Sequence, residues 1–185
     1  MIDTNQLRKG TNFTLDGEIY KVMDYSHNKT ARGGATVRVT VRNLRSGSTT
    51  QMTFNSGDRV QDIRVETVEV EYLYEDGEFL TFMNTETYDQ PQLRKDIFGD
   101  NFLYLIENMR LKLSVYEEEI IDYILPTTVE HRIASAEMAV AGDTATGATK
   151  SVTTESGLQV QVPLFVNEGD TIRINTEAGT YITRV

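Results

Sequence analysis

A group of basic side chains near the start of the chain has the type and spacing to bind phosphate groups. In "TVRVTVRNL", residues 36 to 44, alternation predicts a strand with its valines facing inwards and Arg38 and Arg42 on the outer face. Lys29 and Arg32 precede this strand. A row of cations neutralises several phosphates of a nucleic-acid backbone without reading base identity. The sequence therefore favours binding to a polyanion at this end of the chain.

Arg32 has a special place in this group, within the stretch "KTARGGAT" at residues 29 to 36. Gly33 and Gly34 follow it, and two consecutive glycines permit positive φ and a tight reversal. We therefore expect Arg32 at the exposed tip of a hairpin. The glycines would also let the backbone approach a nucleic acid closely.

The charge of the chain is segregated along its length. The 185 residues carry a net charge of −10, yet the first forty-five hold eight Lys/Arg against four Asp/Glu. An acidic protein with one basic end suits oriented docking on a polyanion, because the acidic remainder opposes indiscriminate binding. Charge kept for solubility is the alternative interpretation of this composition.

Residues that could support enzymatic chemistry are scarce. The chain has no cysteine and two histidines, and no nucleophile pattern accompanies His27 or His131, so each is interpreted as a surface or strand residue. In "YEEEIIDYI" the carboxylates of Glu117, Glu118, Glu119 and Asp122 are interpreted as a solvated face. We predict a binding protein with no catalytic residues, no metal site and no cofactor.

A second stretch that could meet phosphate is "GDTATGATK", residues 142 to 150. It lies among strand-like sequence, whereas a nucleotide-binding P-loop precedes a helix. Its backbone N–H groups and Lys150 could still contact a phosphate backbone.

Most of the chain has the alternation of short strands joined by tight turns, which is typical of small barrels or sandwiches. In "ETVEVEYLY" we expect Val68, Val70, Tyr72 and Tyr74 to share the inner face. Only "DNFLYLIENM", residues 100 to 109, has helical spacing, so one short helix is predicted there, with its apolar stripe in the core. Changes in charge and Pro126 place the predicted domains at 1–63, 64–127 and 128–185.

No signal peptide or membrane span is recognisable in the sequence, so a soluble cytoplasmic protein is expected.

The whole chain also resembles the bacterial elongation factor P family, through an ordered series of motifs. "LRKGT", "DGEIYKV" and "ARGGATVRVTVRNLRSG" resemble the family's first domain. "TFNSGDRVQDIRVE" resembles the join to its second domain, and "FMNTETYDQ" resembles a hairpin of that second domain. The most specific similarity is "KSVTTESGLQVQVPLFVNEGD", which fits the family signature at Lys150, Gly157, Val160, Val162, Pro163, Val166 and Gly169.

This resemblance implies an all-β chain with an SH3-like (KOW-like) barrel followed by two OB-fold barrels, in an L-shaped arrangement that imitates tRNA. It implies a monomeric translation elongation factor that binds both ribosomal subunits and their rRNA between the P and E sites. There it would stabilise peptidyl-tRNA, stimulate peptide-bond formation and relieve stalling at consecutive prolines.

The resemblance also assigns residues. Arg32 would lie at the tip near the CCA end of the P-site tRNA, with Lys29, Gly33, Gly34, Arg38 and Arg42 shaping the tip and contacting RNA. Contacts of the third domain with the E-site mRNA codon and the small subunit would come from Gly142, Asp143, Thr144, Gly147 and Lys150. Tyr181 and Arg184 are candidates for rRNA or tRNA contact, and a core position is the alternative for Tyr181.

In this family the tip residue can be the target of a modifying enzyme. Because Gly33 and Gly34 follow Arg32, whereas the rhamnosylated subset carries an asparagine-containing flank, we predict an unmodified Arg32. Two alternatives remain open: the family's ribosome-binding paralogue, against which the intact "GDT" argues, and a β-rich adaptor unrelated to the ribosome.

Overall fold

Alternating sequence and frequent tight turns produce a chain built almost entirely of strands. The computed structural model describes residues 1–28, 34–138 and 147–185. The described residues form three sheets, and the first two nearly close into barrels. The expectation of an all-β chain made of small barrels is therefore confirmed.

The first sheet has six strands in the order β1-β6-β2-β3-β4-β5. In the strand Thr36–Asn43, the side chains of Val37, Val39 and Val41 have no exposed surface, so the predicted inner face of that strand is confirmed. The strands are β1 (Ile2–Asp3), β2 (Asn12–Leu15), β3 (Glu18–Asn28), β4 (Thr36–Asn43), β5 (Thr49–Asn55) and β6 (Arg59–Asp62).

The second sheet has the order β11-β10-β7-β8-β9. Val70 and Tyr72 are buried as expected, but the expected inner position of Tyr74 is wrong, since 52% of its surface is exposed. The pairing of β7 with β8 shifts register between Tyr72 and Tyr74, and such a bulge moves the following side chains to the other face. The strands are β7 (Glu66–Asp76), β8 (Phe79–Asn84), β9 (Gln92–Arg94), β10 (Arg110–Tyr116) and β11 (Glu119–Ile124).

The predicted helix over residues 100 to 109 is also wrong. The chain instead forms α1 (Lys95–Phe98) and then a 3-10 helix (Gly99–Tyr104), after which Leu105 is extended. Asn108 has φ +66°, and the backbones of Asn108 and Met109 pair with Tyr72 at 2.8 Å. Pairing with a strand therefore replaces helix in this segment, and Ile106 from the predicted core stripe is exposed.

The third sheet has the order β14-β13-β12-β15-β16 and encloses a core of aliphatic side chains that also contains Tyr104. This sheet with its core is the third barrel. Its strands are β12 (Thr128–Ala136), β13 (Thr149–Thr154), β14 (Gln159–Pro163), β15 (Thr171–Asn175) and β16 (Thr180–Arg184).

The contacts within the chain define two compact units. The first consists of Met1–Val68 and Leu113–Tyr123, and the second of Glu69–Lys112 and Ile124–Val185. A short 3-10 helix, Thr4–Gln6, lies in the first unit. None of the helices in the described part of the chain is long and apolar enough to cross a membrane.

Candidate nucleic-acid interface

Lys21, Arg38 and Arg42 lie on one long hairpin. Strands β3 and β4 form an antiparallel ladder. It begins with the pair Tyr20 and Asn43 and ends with the pair Asn28 and Thr36, and its register shifts once, between Val22 and Asp24. The valines of β4 are buried, so alternation turns its arginines to the opposite face. Lys29, Arg32 and Gly33 lie outside the described residues, and Gly34 follows directly.

The two arginines of β4 have different surroundings. Arg38 is exposed and lies between Ser26 of β3 and Thr53 of β5. Arg42 is half-buried and is paired across the ladder with Lys21. Four residues of strand separate the two arginines by about 13 Å. Only Arg38 therefore presents a well-exposed cation on this face.

Lys21 is a further cation of the hairpin, which the sequence pattern did not single out. Its Nζ lies 2.6 Å from Oδ2 of Asp122 on β11, within the first unit. Asp122 is 7% exposed, so the interpretation of its acidic cluster as a solvated face is wrong at this residue. Glu119 of the same cluster forms a bidentate pair with Arg45, at 3.1 and 2.9 Å. Asp122 therefore joins β11 to the hairpin, and Glu119 joins it to the turn that follows β4.

A cation and an aromatic ring stack beside the exposed part of the hairpin. The guanidinium of Arg8 lies 4.9 Å from the ring centroid of Tyr25 on β3, and its Nη1 donates to the carbonyls of Asn5 and Leu7. His27 is exposed two residues further along β3. Stacked arginine and aromatic side chains are a common surface for RNA bases. The motif "LRKG" precedes the hairpin in sequence and gave no signal of this contact.

The predicted residues of the third barrel are spread over several positions. Gly142, Asp143 and Thr144 lie outside the described residues. Gly147 has φ +108°, a conformation that favours glycine, and Lys150 is half-buried at the start of β13. Tyr181 packs partly buried against the core of the barrel, which agrees with the alternative considered for it.

Arg184 lies at the exposed end of β16. Its guanidinium is 5.5 Å from the ring centroid of Phe165, and Nη1 is 3.5 Å from Oδ2 of Asp170. Phe165 is 58% exposed, which is unusual for an aromatic side chain of this size. The pattern "VPLFVNEGD" contains Phe165, but alternation did not predict its exposure because it follows the end of β14.

Known protein families match the chain over nearly its whole length. Three family models match in series: the elongation factor P KOW-like domain at residues 3–60, the elongation factor P OB domain at 65–123, and the elongation factor P C-terminal domain at 129–184. An elongation factor P from Herpetosiphon aurantiacus is 43% identical over 185 residues, covering 100% of both chains.

The fold also resembles a solved structure. Translation initiation factor 5A from Methanococcus jannaschii has a TM-score of 0.52 and 17% identity, covering 68% of this chain and 90% of that one. The family models and the full-length relative identify the chain as a translation factor. The three matches and the full-length relative show that the chain belongs to the elongation factor P family.

Proposed function

We propose that this protein enters the ribosome between the P and E sites and promotes peptide-bond formation when synthesis stalls at consecutive prolines. Membership of the elongation factor P family carries the proposal. The partners would be rRNA of both subunits and the P-site peptidyl-tRNA, met by a monomer in the cytoplasm. The proposed domains are residues 1–63, 64–127 and 128–185.

The charge distribution supports this orientation. Residues 1 to 63 carry nine bases and six acids, whereas residues 64 to 127 carry five bases and fifteen acids. RNA attracts the first piece and repels the second, which favours entry with the basic hairpin leading. Arg38 is exposed on that hairpin, and exposed Arg8 stacks on the half-buried ring of Tyr25 beside it.

The chemistry would belong to the ribosome, and the factor would act by positioning. A guanidinium is always charged and offers five donors in a planar fork, so Arg32 at the tip could hold backbone phosphates near the tRNA acceptor end. Restricting the peptidyl-tRNA to a reactive geometry lowers the entropic barrier to bond formation. A gain of about 1.4 kcal/mol, realised only in the reactive arrangement, speeds the reaction about tenfold.

The opposite end of the protein would contact the small subunit. We assign Gly142, Asp143, Thr144, Gly147 and Lys150 to contacts near the E-site codon. Exposed Arg184 is the better candidate for a further RNA contact, because the ring of Tyr181 is packed against the barrel core.

The test is a reconstituted translation system with a proline-run reporter. Arg32→Ala should lower the stimulated rate about tenfold or more, and Arg32→Lys should keep part of it. Arg94→Ala is a matched control, because Arg94 is an exposed arginine of the acidic middle piece and is paired with Asp96 at 2.7 Å. An Arg32→Ala factor as active as the wild type would contradict the role of the tip.

Two further measurements complete the test. Co-sedimentation with ribosomes should retain the wild-type protein in the pellet, and a protein left in the supernatant would instead support an adaptor. The intact mass of the natively produced protein should match the unmodified chain. A deoxyhexose mapped to Arg32 would overturn the prediction of a bare guanidinium and implicate a modifying enzyme.

A further inference from the structure

A buried histidine in the second unit has no part in the proposed RNA contacts. His131 lies on β12 between Val129 and Ile133, and it is 2% exposed. Its Nε2 is 3.0 Å from the carbonyl oxygen of Tyr104, and its Nδ1 is 3.1 Å from Oγ of Ser156. A buried imidazole bonded on both sides has a fixed orientation.

The protonation of this imidazole follows from its partners. A carbonyl can only accept, so Nε2 carries the hydrogen and donates it to Tyr104. Burial lowers the pKa of His131, against the opposing influence of this bond. The ring is therefore neutral, and its Nδ1 accepts from Oγ1 of Thr154 at 3.4 Å, because the hydroxyl hydrogen of Ser156 is donated to the carbonyl of Leu103.

These bonds satisfy groups that a helix leaves unpaired. Tyr104 and Leu103 end the 3-10 helix, and the last carbonyls of any helix have no partner within it. His131 donates to the carbonyl of Tyr104, while Oγ of Ser156 donates to that of Leu103 at 2.6 Å. Two side chains of the third barrel thus cap the end of a helix that comes from the middle of the chain.

Packing reinforces the same attachment. The ring of Tyr104 is 7% exposed and belongs to the core of the third barrel. A Cβ added at Gly179 would lie 3.1 Å from the hydroxyl oxygen of Tyr104, and one at Gly157 would lie 3.7 Å from Leu103. Gly179 therefore leaves room for the Tyr104 hydroxyl, whereas a Cβ at Gly157 would make an ordinary contact with Leu103.

We propose that His131 is a positioning residue, whose neutral imidazole locks the 3-10 helix onto the third barrel and so fixes the barrel for its ribosomal contacts. This inference rests on the proposed function. Strands β12 and β13, which carry His131 and Thr154, are also the strands that flank residues 137 to 148 in the chain. The same strands thus hold the helix and lead to the residues assigned to the E-site codon.

The lock should weaken in mild acid. The pKa of His131 is lower in the folded protein than in the unfolded chain. As pH falls through the ordinary histidine pKa of about 6.5, the unfolded chain therefore binds a proton that the folded protein does not, and the attachment loses stability. Burial raises the pKa of the Tyr104 phenol, which therefore stays neutral in this range. The charged groups on the adjoining strands and turn form pairs of their own, Arg132 with Glu155 and Arg173 with Glu130.

The experiment compares His131→Leu, which removes both bonds, with His131→Gln, whose amide can still donate to the carbonyl of Tyr104. Hydrogen exchange of the full-length protein is followed over residues 99 to 109 and over β14 to β16. His131→Leu should speed exchange in the first segment about tenfold or more and leave the second unchanged. His131→Gln should restore protection. It should also abolish the loss of protection, measured relative to the exchange rate of an unstructured chain at each pH, that the wild type shows between about pH 7.5 and about pH 5.5.

The translation assay then connects the lock to function. His131→Leu should lower stimulation of the proline-run reporter several-fold, and His131→Gln should recover it at neutral pH. Wild-type exchange in both variants, or exchange raised equally over the whole barrel, would overturn the inference. So would full activity of a His131→Leu protein with a loosened helix. An inactive wild-type protein with the predicted exchange pattern would refute only the proposed function.

Discussion

Replacing Lys21 by methionine should destabilise the first unit strongly, because it would leave a buried carboxylate without its cation. Nζ of Lys21 and Oδ2 of Asp122 are 2.6 Å apart, and the Asp122 side chain is 10% exposed. Ile19, two residues before Lys21, and Ile121, next to Asp122, belong with Leu44 to one small apolar cluster. Water therefore has little access to the carboxylate.

The size of the effect follows from this burial. Breaking a buried ion pair by removing one partner costs about 3 to 5 kcal/mol, because the remaining charge has lost its solvent and its counter-charge. The Lys21 side chain is 32% exposed, so some water reaches the pair and we expect the lower end, about 3 kcal/mol. Replacing both residues, as Lys21→Met with Asp122→Leu, should cost about 1 kcal/mol or less, since no orphaned charge remains.

The assay is urea unfolding of the full chain at neutral pH, comparing the two single variants, the double variant and the wild type. The double-mutant cycle should give a coupling of about 2 kcal/mol or more. Arg94→Met is the control: its pair with Asp96 is 63% and 61% exposed, and the loss should be about 0 to 1 kcal/mol. A Lys21→Met protein no less stable than this control would show that the carboxylate is solvated, and the reasoning from burial would be refuted.

Two further predictions concern packing and backbone conformation, and both are checked by urea unfolding. Phe82→Ala should lower the stability by about 3 to 5 kcal/mol, because the fully buried ring contacts two other aromatic rings. Phe79 lies on the same strand but is 39% exposed, so Phe79→Ala should lower the stability clearly less. Equal losses would contradict that assignment of the core. Gly179→Ala and Gly77→Ala both place alanine at positive φ, at a cost of about 1 to 2 kcal/mol. Gly179→Ala should lower the free energy of unfolding by about 1 kcal/mol more than Gly77→Ala, because its Cβ would lie 3.1 Å from the Tyr104 hydroxyl while a Cβ at Gly77 would meet open space. Equal stability of the two variants would show that this contact relaxes freely.

The sequence could predict the sheet fold because alternation is a local signal. Val37, Val39 and Val41 are buried wherever β4 pairs, since side chains of a strand point to alternate faces. The failures are equally local in origin. Tyr74 follows a bulge, and Asn108 and Met109 pair with Tyr72 of β7, so in both places a tertiary backbone contact overrides the periodicity.

The candidate site was predictable only in part, because charge along a chain does not reveal which charges meet. Arg38 and Arg42 have the same spacing and the same predicted face, yet one is exposed and the other half-buried beside Lys21. Asp122 was interpreted as a solvent-facing acid, but it is buried and paired with Lys21 of the hairpin, whereas Glu119 is exposed as interpreted and pairs with Arg45.

The polar contacts that the sequence did not reveal share one property: they join residues far apart in the chain. Asp122 is 101 residues from Lys21, and Ser156 is 53 residues from the carbonyl of Leu103. Each contact attaches a segment matched by one family model to a segment matched by another. Local sequence thus determines each barrel, whereas these few polar contacts hold segments that are distant in the chain together. Single substitutions at Lys21 and His131 therefore test how those segments are attached without altering the alternation of any strand.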